Sequence, residues 1–153
     1  MNRIISIRNG ATTVAEYDYM GLNTPIYTGY PEPNVSLDYT LSGALDRFGR
    51  ITDHAWKNTS AQDIVRIKHG YDRIGNRLYR EDLVTAELGK HFDELYSYDE
   101  MNQVTGMTRG QLNSAKTAIV SGTNYAETFN FDATGNWTGY NQDTNGDGTF
   151  ELN

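Results

Sequence analysis

Alternation of large apolar and polar residues, rather than any helical period, organises this chain. Leu95-Tyr96-Ser97-Tyr98 places both tyrosines on one face, and Tyr125-Ala126-Glu127-Thr128-Phe129-Asn130-Phe131 does the same for Phe129 and Phe131. A period of two is that of half-buried strands. Apolar-centred triplets at Arg50-Ile51-Thr52, Arg77-Leu78-Tyr79, Gln103-Val104-Thr105 and Asn136-Trp137-Thr138 predict further strands. Residues 60–66 and 85–90 suggest single turns of helix, but neither sustains a 3.6-residue period. Pro31-Glu32-Pro33-Asn34 and residues 114–123 predict loops.

A five-residue string recurs between the strands. Tyr17-Asp18-Tyr19-Met20-Gly21 matches Leu45-Asp46-Arg47-Phe48-Gly49, Tyr71-Asp72-Arg73-Ile74-Gly75, Tyr98-Asp99-Glu100-Met101-Asn102 and Phe131-Asp132-Ala133-Thr134-Gly135, with the aspartates 28, 26, 27 and 33 residues apart. Asp at the first position of a type I turn accepts from backbone N–H groups further on. Gly or Asn three residues later suits the left-handed conformation that closes longer hairpin loops. The expected structural turn residues are therefore Asp18/Gly21, Asp46/Gly49, Asp72/Gly75, Asp99/Asn102 and Asp132/Gly135. Each repeat predicts strand, tight turn, strand and a longer return, giving a single all-β domain over residues 1–153 with no internal boundary.

These strings resemble the YD repeat of the RHS family. The resemblance is carried best by Tyr71-Asp72-Arg73-Ile74-Gly75-Asn76-Arg77-Leu78, Tyr96-Ser97-Tyr98-Asp99 and Phe129-Asn130-Phe131-Asp132-Ala133-Thr134-Gly135-Asn136-Trp137, and it covers about residues 15 to 140. It implies a YD-repeat array of antiparallel strands and hairpins, an open segment of the spiralling β-sheet shell that encloses toxin cargo in large bacterial surface or secreted proteins and recurs in toxin complexes and teneurins. Five repeats are too few for a closed shell. The resemblance further implies an extracellular or cell-surface location, although the first eight residues hold too short an apolar stretch for a signal peptide. Glycan binding has also been associated with such repeats.

Composition agrees with strands and turns. Hydrophobic residues are 37% of 153, yet there are 11 Tyr and 15 Gly. Disordered chains are poor in aromatics, whereas Tyr suits a half-buried pleated surface. There is no Cys, which excludes disulfides, thiolate metal sites and a thiol nucleophile. A net charge of −7 opposes nucleic-acid binding, which rests on cationic neutralisation of phosphates. No apolar run approaches a membrane span.

The sharpest local signal lies in the acidic, Gly-rich tail, residues 141–153. Asp143-Thr144-Asn145-Gly146-Asp147-Gly148-Thr149-Phe150-Glu151 matches the first nine positions of an EF-hand-type loop. Asp143, Asn145 and Asp147 would supply side-chain oxygens, Thr149 a carbonyl and Glu151 the ninth ligand, a set that suits calcium, although no cofactor is required by the sequence. The twelfth position would fall at residue 154. A Gly/Asp/Asn surface turn is the alternative.

The repeat aspartates could instead be read as paired carboxylates of a glycosidase, but turn formation explains each of them and no catalytic residue is expected. His54, His69 and His91 show no metal-ligand spacing and read as solvated or turn-lining residues. Tyr17, Tyr71, Tyr96, Tyr98 and Trp137 could stack on sugar rings, although strand positions favour buried cross-strand ladders. The function expected is a non-enzymatic structural module that pairs with flanking repeats or other copies through open edge strands. The alternative is a calcium-dependent carbohydrate- or protein-binding module.

Overall fold

A computed structural model describes residues 3–152. It is all-β: eleven strands, each hydrogen-bonded to its neighbours in chain order, form one open sheet. Contacts divide the chain into two compact units, residues 1–68 and 69–153.

The first unit contains β1 (Ser6–Asn9), β2 (Thr12–Met20), β3 (Thr24–Tyr30), β4 (Val35–Asp38), β5 (Asp53–Asn58) and most of β6 (Asp63–Tyr71). Consecutive strands from β1 to β6 pair antiparallel. Along β2 the pattern is strict: Thr13, Ala15, Tyr17 and Tyr19 are at least half covered, while Val14, Glu16, Asp18 and Met20 are exposed. Asp18 thus belongs to a strand face, opposite Tyr27 of β3. Here the expected turn at 18–21 differs from the structure. The alternation carries the strand on to Met20, and the reversal falls on Gly21-Leu22-Asn23, with Gly21 at φ 61°. Residues 60–66, read as a helical turn, form a loop and the start of β6.

The second unit holds the end of β6, then β7 (Arg77–Asp82), a five-residue helix α1 (Leu83–Glu87), β8 (Asp93–Tyr98), β9 (Val104–Leu112), β10 (Ile119–Phe131) and β11 (Trp137–Asp143). Strands β7 to β11 pair antiparallel in sequence order. Asp82 caps α1 by accepting from Thr85 N. Part of the loop expected over 114–123 is strand, because β10 begins at Ile119 and is irregularly paired with β9 through Ser121.

One layer of sheet makes a thin core. Among the described residues the buried apolar side chains are Ala15, Leu37, Ala44, Met107 and Leu112. Among the described residues no helix is long and apolar enough to cross a membrane.

Candidate functional site

Four of the five repeat aspartates close their own turns. Asp46 Oδ1 accepts from Phe48 N and Arg50 N, at 2.8 and 2.9 Å, and Oδ2 accepts from Arg50 Nε. Asp72 Oδ1 accepts from Ile74, Gly75 and Asn76 N at 3.0, 2.7 and 2.8 Å. Asp99 Oδ1 accepts from Met101 and Gln103 N, and Asp132 Oδ1 from Thr134 and Asn136 N. The fourth residue of each turn is left-handed: Gly49 at φ 77°, Gly75 at 107°, Asn102 at 64° and Gly135 at 87°. The Asp46 turn differs in its surroundings. It rests on a single Leu45–Ile51 bridge between β4 and β5 rather than joining two named strands.

Donors around these carboxylates govern their titration. At Asp132 the Thr134 hydroxyl, then the N–H and amide of Asn136, hold the carboxyl far below its usual range. At Asp72 partial desolvation works upward, but donation from Asn76, Gly75 and Ile74 outweighs it and the value is lowered. Asp46 is lowered in the same way, against desolvation, by Arg50 and Phe48. These carboxylates are engaged as acceptors within their own turns, an arrangement that organises backbone.

The second unit carries the largest aromatic concentration. Tyr71, Tyr96, Tyr98, Phe129, Val104 and Met107, with Arg77 and Glu127, line an open cleft of about 380 Å³. Glu127 Oε1 accepts from Tyr125 Oη at 2.6 Å and Tyr140 Oη at 2.8 Å. Glu94 accepts from Tyr96 Oη at 2.5 Å and from Arg109. Burial, then the Glu94 carboxylate, push the Tyr96 hydroxyl up to about 12. Beside the cleft, Trp137 stacks on Tyr140 with ring centroids 6.2 Å apart and planes 6° from parallel. The expectation of buried aromatic ladders is corrected here. Tyr17, Tyr71, Tyr96 and Tyr98 are half-buried, and Trp137 is 65% exposed. A one-layer sheet has no second layer to cover them.

His54, read as solvated or turn-lining, is partly buried, and its Nδ1 shares a hydrogen bond with Tyr39 Oη, 2.5 Å away. Burial holds its pKa below the ordinary imidazole value, against the pull of Asp53. His69 packs beside Tyr71, and the His91 carbonyl accepts from Asn124 Nδ2. The Tyr39–His54 contact joins the end of β4 to β5. It depends on strand register, and no local motif announces it.

In the C-terminal loop, single carboxylate oxygens of Asp143, Asp147 and Glu151 lie within 4.8 Å of one another. Asp143 is buried and accepts from Asn145, Gly146 and Gly148 N, which hold its carboxyl low against desolvation. Asn145 Oδ1 accepts from Asp147 N, and Asp147 Oδ1 from Thr149 N. Glu151 turns back to accept from Thr144 N and Asn145 Nδ2. Oxygen donors at alternate positions are the chemistry a hard cation takes. The same turn brings Leu152 alongside β11: Gln142 N donates to Leu152 O, and Glu151 N donates to Gln142 O. This loop is the one segment where three carboxylates converge among the described residues.

The sequence matches no protein-family profile and no curated protein. The fold matches a chain in the structure of the Photorhabdus luminescens Tc holotoxin pore, a TccC3 mutant, with a TM-score of 0.63 at 14% identity. The match covers 88% of this chain and 7% of that one, so this chain spans a small fraction of the matched chain's length. The likeness concerns fold, and it supports the RHS/YD-repeat-like architecture.

Proposed function

We propose that the chain is a non-enzymatic structural module of an RHS-like bacterial surface or secreted protein, a length of β-sheet scaffold or shell that continues into flanking repeats or other copies. The observation that carries this reading is the recurrence of turns closed by Asp46, Asp72, Asp99 and Asp132 in an all-β chain that shares its fold with part of a Tc holotoxin chain. Toxin cargo behind such a sheet belongs to the same proposal.

Pairing through the end strands is its testable part. Tyr17 N donates to Ile5 O, which turns the backbone groups of Ser6 away from β2. On β11, Leu152 and Glu151 occupy the outward groups of Gln142, leaving those of Tyr140 as the next open rung. Light scattering across a concentration series is expected to show assemblies that Ser6→Pro weakens, since Pro removes an outward donor. Assemblies of unchanged size in that variant would overturn pairing through β1.

A second reading is favoured by the convergence of Asp143, Asp147 and Glu151: the C-terminal loop holds calcium in a carbohydrate- or protein-binding module. A rise in melting temperature with calcium that Asp147→Ala abolishes is the expected result. No shift at millimolar calcium would remove this reading and leave the scaffold intact.

A further inference from the structure

In the Asp72 and Asp99 turns the third residue donates its backbone N–H to the turn carboxylate, while its side chain, large and apolar, takes no part in the turn. Ile74 is 70% exposed and Met101 60%. Isolated exposed apolar residues are ordinary, but these two stand on adjacent turns of one rim. Asn76 Nδ2 donates to Asn102 Oδ1 at 2.9 Å and ties the turns together. Two strand spacings separate them, about 9.6 Å. Each apolar tip follows an exposed charge of opposite sign, Arg73 before Ile74 and Glu100 before Met101. Neither charge is in an ion pair among the described residues. On the next turn Ala133 and Thr134 offer neither bulk nor charge, so the patterned stretch ends there.

We propose that the rim formed by the Asp72 and Asp99 turns is a self-docking surface, on which a second copy of this chain packs about a two-fold axis passing between the two turns. A two-fold interface must be self-complementary, and this rim is. Rotation by 180° lays Ile74 of one copy against Met101 of the other and sets Arg73 opposite Glu100, twice over. The charges fix the register, and the apolar tips supply the contact area. Two short turns per copy bury well under the roughly 1,000 Å² of a durable interface, so the dimer is transient and forms at high chain concentration. This surface uses side chains at the turns, and it is distinct from the strand-edge pairing proposed above, which uses backbone groups of β1 and β11.

Sedimentation velocity over a concentration series tests it with wild type, R73E, E100R and an equimolar mixture of the two variants. The expected result is a weak dimer in wild type, its loss in each variant alone, where like charges meet, and its return in the mixture, where every facing pair is again opposite. Circular dichroism of each variant checks the fold, and the doubly substituted I74S/M101S chain is expected to lose the rim dimer and associate less than wild type at every concentration. Wild type that remains monomeric overturns the proposal. So does a mixture that associates no better than its components. Assembly that persists in R73E, E100R and I74S/M101S but disappears in Ser6→Pro also overturns it, and leaves edge pairing standing.

Discussion

Asn76 and Asn102, 26 residues apart, share a hydrogen bond from Nδ2 to Oδ1. The same Nδ2 also donates to Asp72 Oδ2 at 2.9 Å, so one amide closes its own turn and reaches the next. The neighbouring step is similar in placement: a Cβ built on Gly135 would lie 3.0 Å from Gln103 Nε2. In these two steps of the second unit, the residue after a turn leans toward the fourth residue of the following one.

Asn102→Gly keeps a residue that accepts φ 64° while deleting the bond to Asn76. Urea denaturation is expected to show a loss of about 0.5 kcal/mol, the low end for an exposed hydrogen bond. Asn102→Ala adds left-handed strain and is expected to lose about 1 kcal/mol more. A double-mutant cycle with Asn76→Ala that returns no coupling would show the inter-turn bond to be without effect.

The turn carboxylates set the acid limit. Asp46, Asp72, Asp132 and Asp143 all have lowered folded pKa values. Their contribution is fully present above the unfolded value of about 3.9 and is lost as pH falls through the folded values. Melting temperature is expected to fall steeply below about pH 4, with a shallower fall in Asp132→Asn. An unchanged slope in that variant would contradict the assignment.

His54 acts in a higher window. Its lowered value means that its contribution is present above the unfolded imidazole value of about 6.5 and is lost as pH falls from there through the folded value. Asp53→Asn removes the charge that pulls the imidazole upward and is expected to lower the His54 midpoint further in an NMR titration. A wild-type midpoint at or above about 6.5 would refute this account.

Gly146 and Gly148 both have positive φ, 78° and 86°, but their surroundings differ. A Cβ on Gly146 would lie 2.1 Å from Thr123 O, whereas Gly148 faces open space. Gly148→Ala is expected to cost about 1 kcal/mol of backbone strain. Gly146→Ala adds displacement of the loop from the 123–124 backbone, for a total of about 3 kcal/mol. Equal losses on thermal unfolding would mean that the loop is not seated as described.

Much of the turn architecture is readable in the sequence, because a carboxylate and a left-handed residue three positions apart satisfy each other locally. The same string fails at Asp18, where alternation from Thr13 to Tyr19 extends the strand past the Asp and the reversal moves to Gly21. Local chemistry decides a turn only where strand pairing does not override it. The Tyr39–His54 contact and the convergence of Tyr71, Tyr98 and Phe129 on one cleft depend on cross-strand register, which no short motif encodes. The exposure of Trp137 depends on the absence of a covering layer, which period-two alternation cannot report.

The thin core has a thermodynamic signature. With five buried apolar side chains among the described residues, unfolding uncovers less new apolar surface than in a two-layer domain of the same length. Both the denaturant m-value and the heat-capacity change scale with that surface. The stability curve is therefore expected to be shallow and the urea transition broad. Covering one face with further repeats or a second copy would steepen both without altering a single turn.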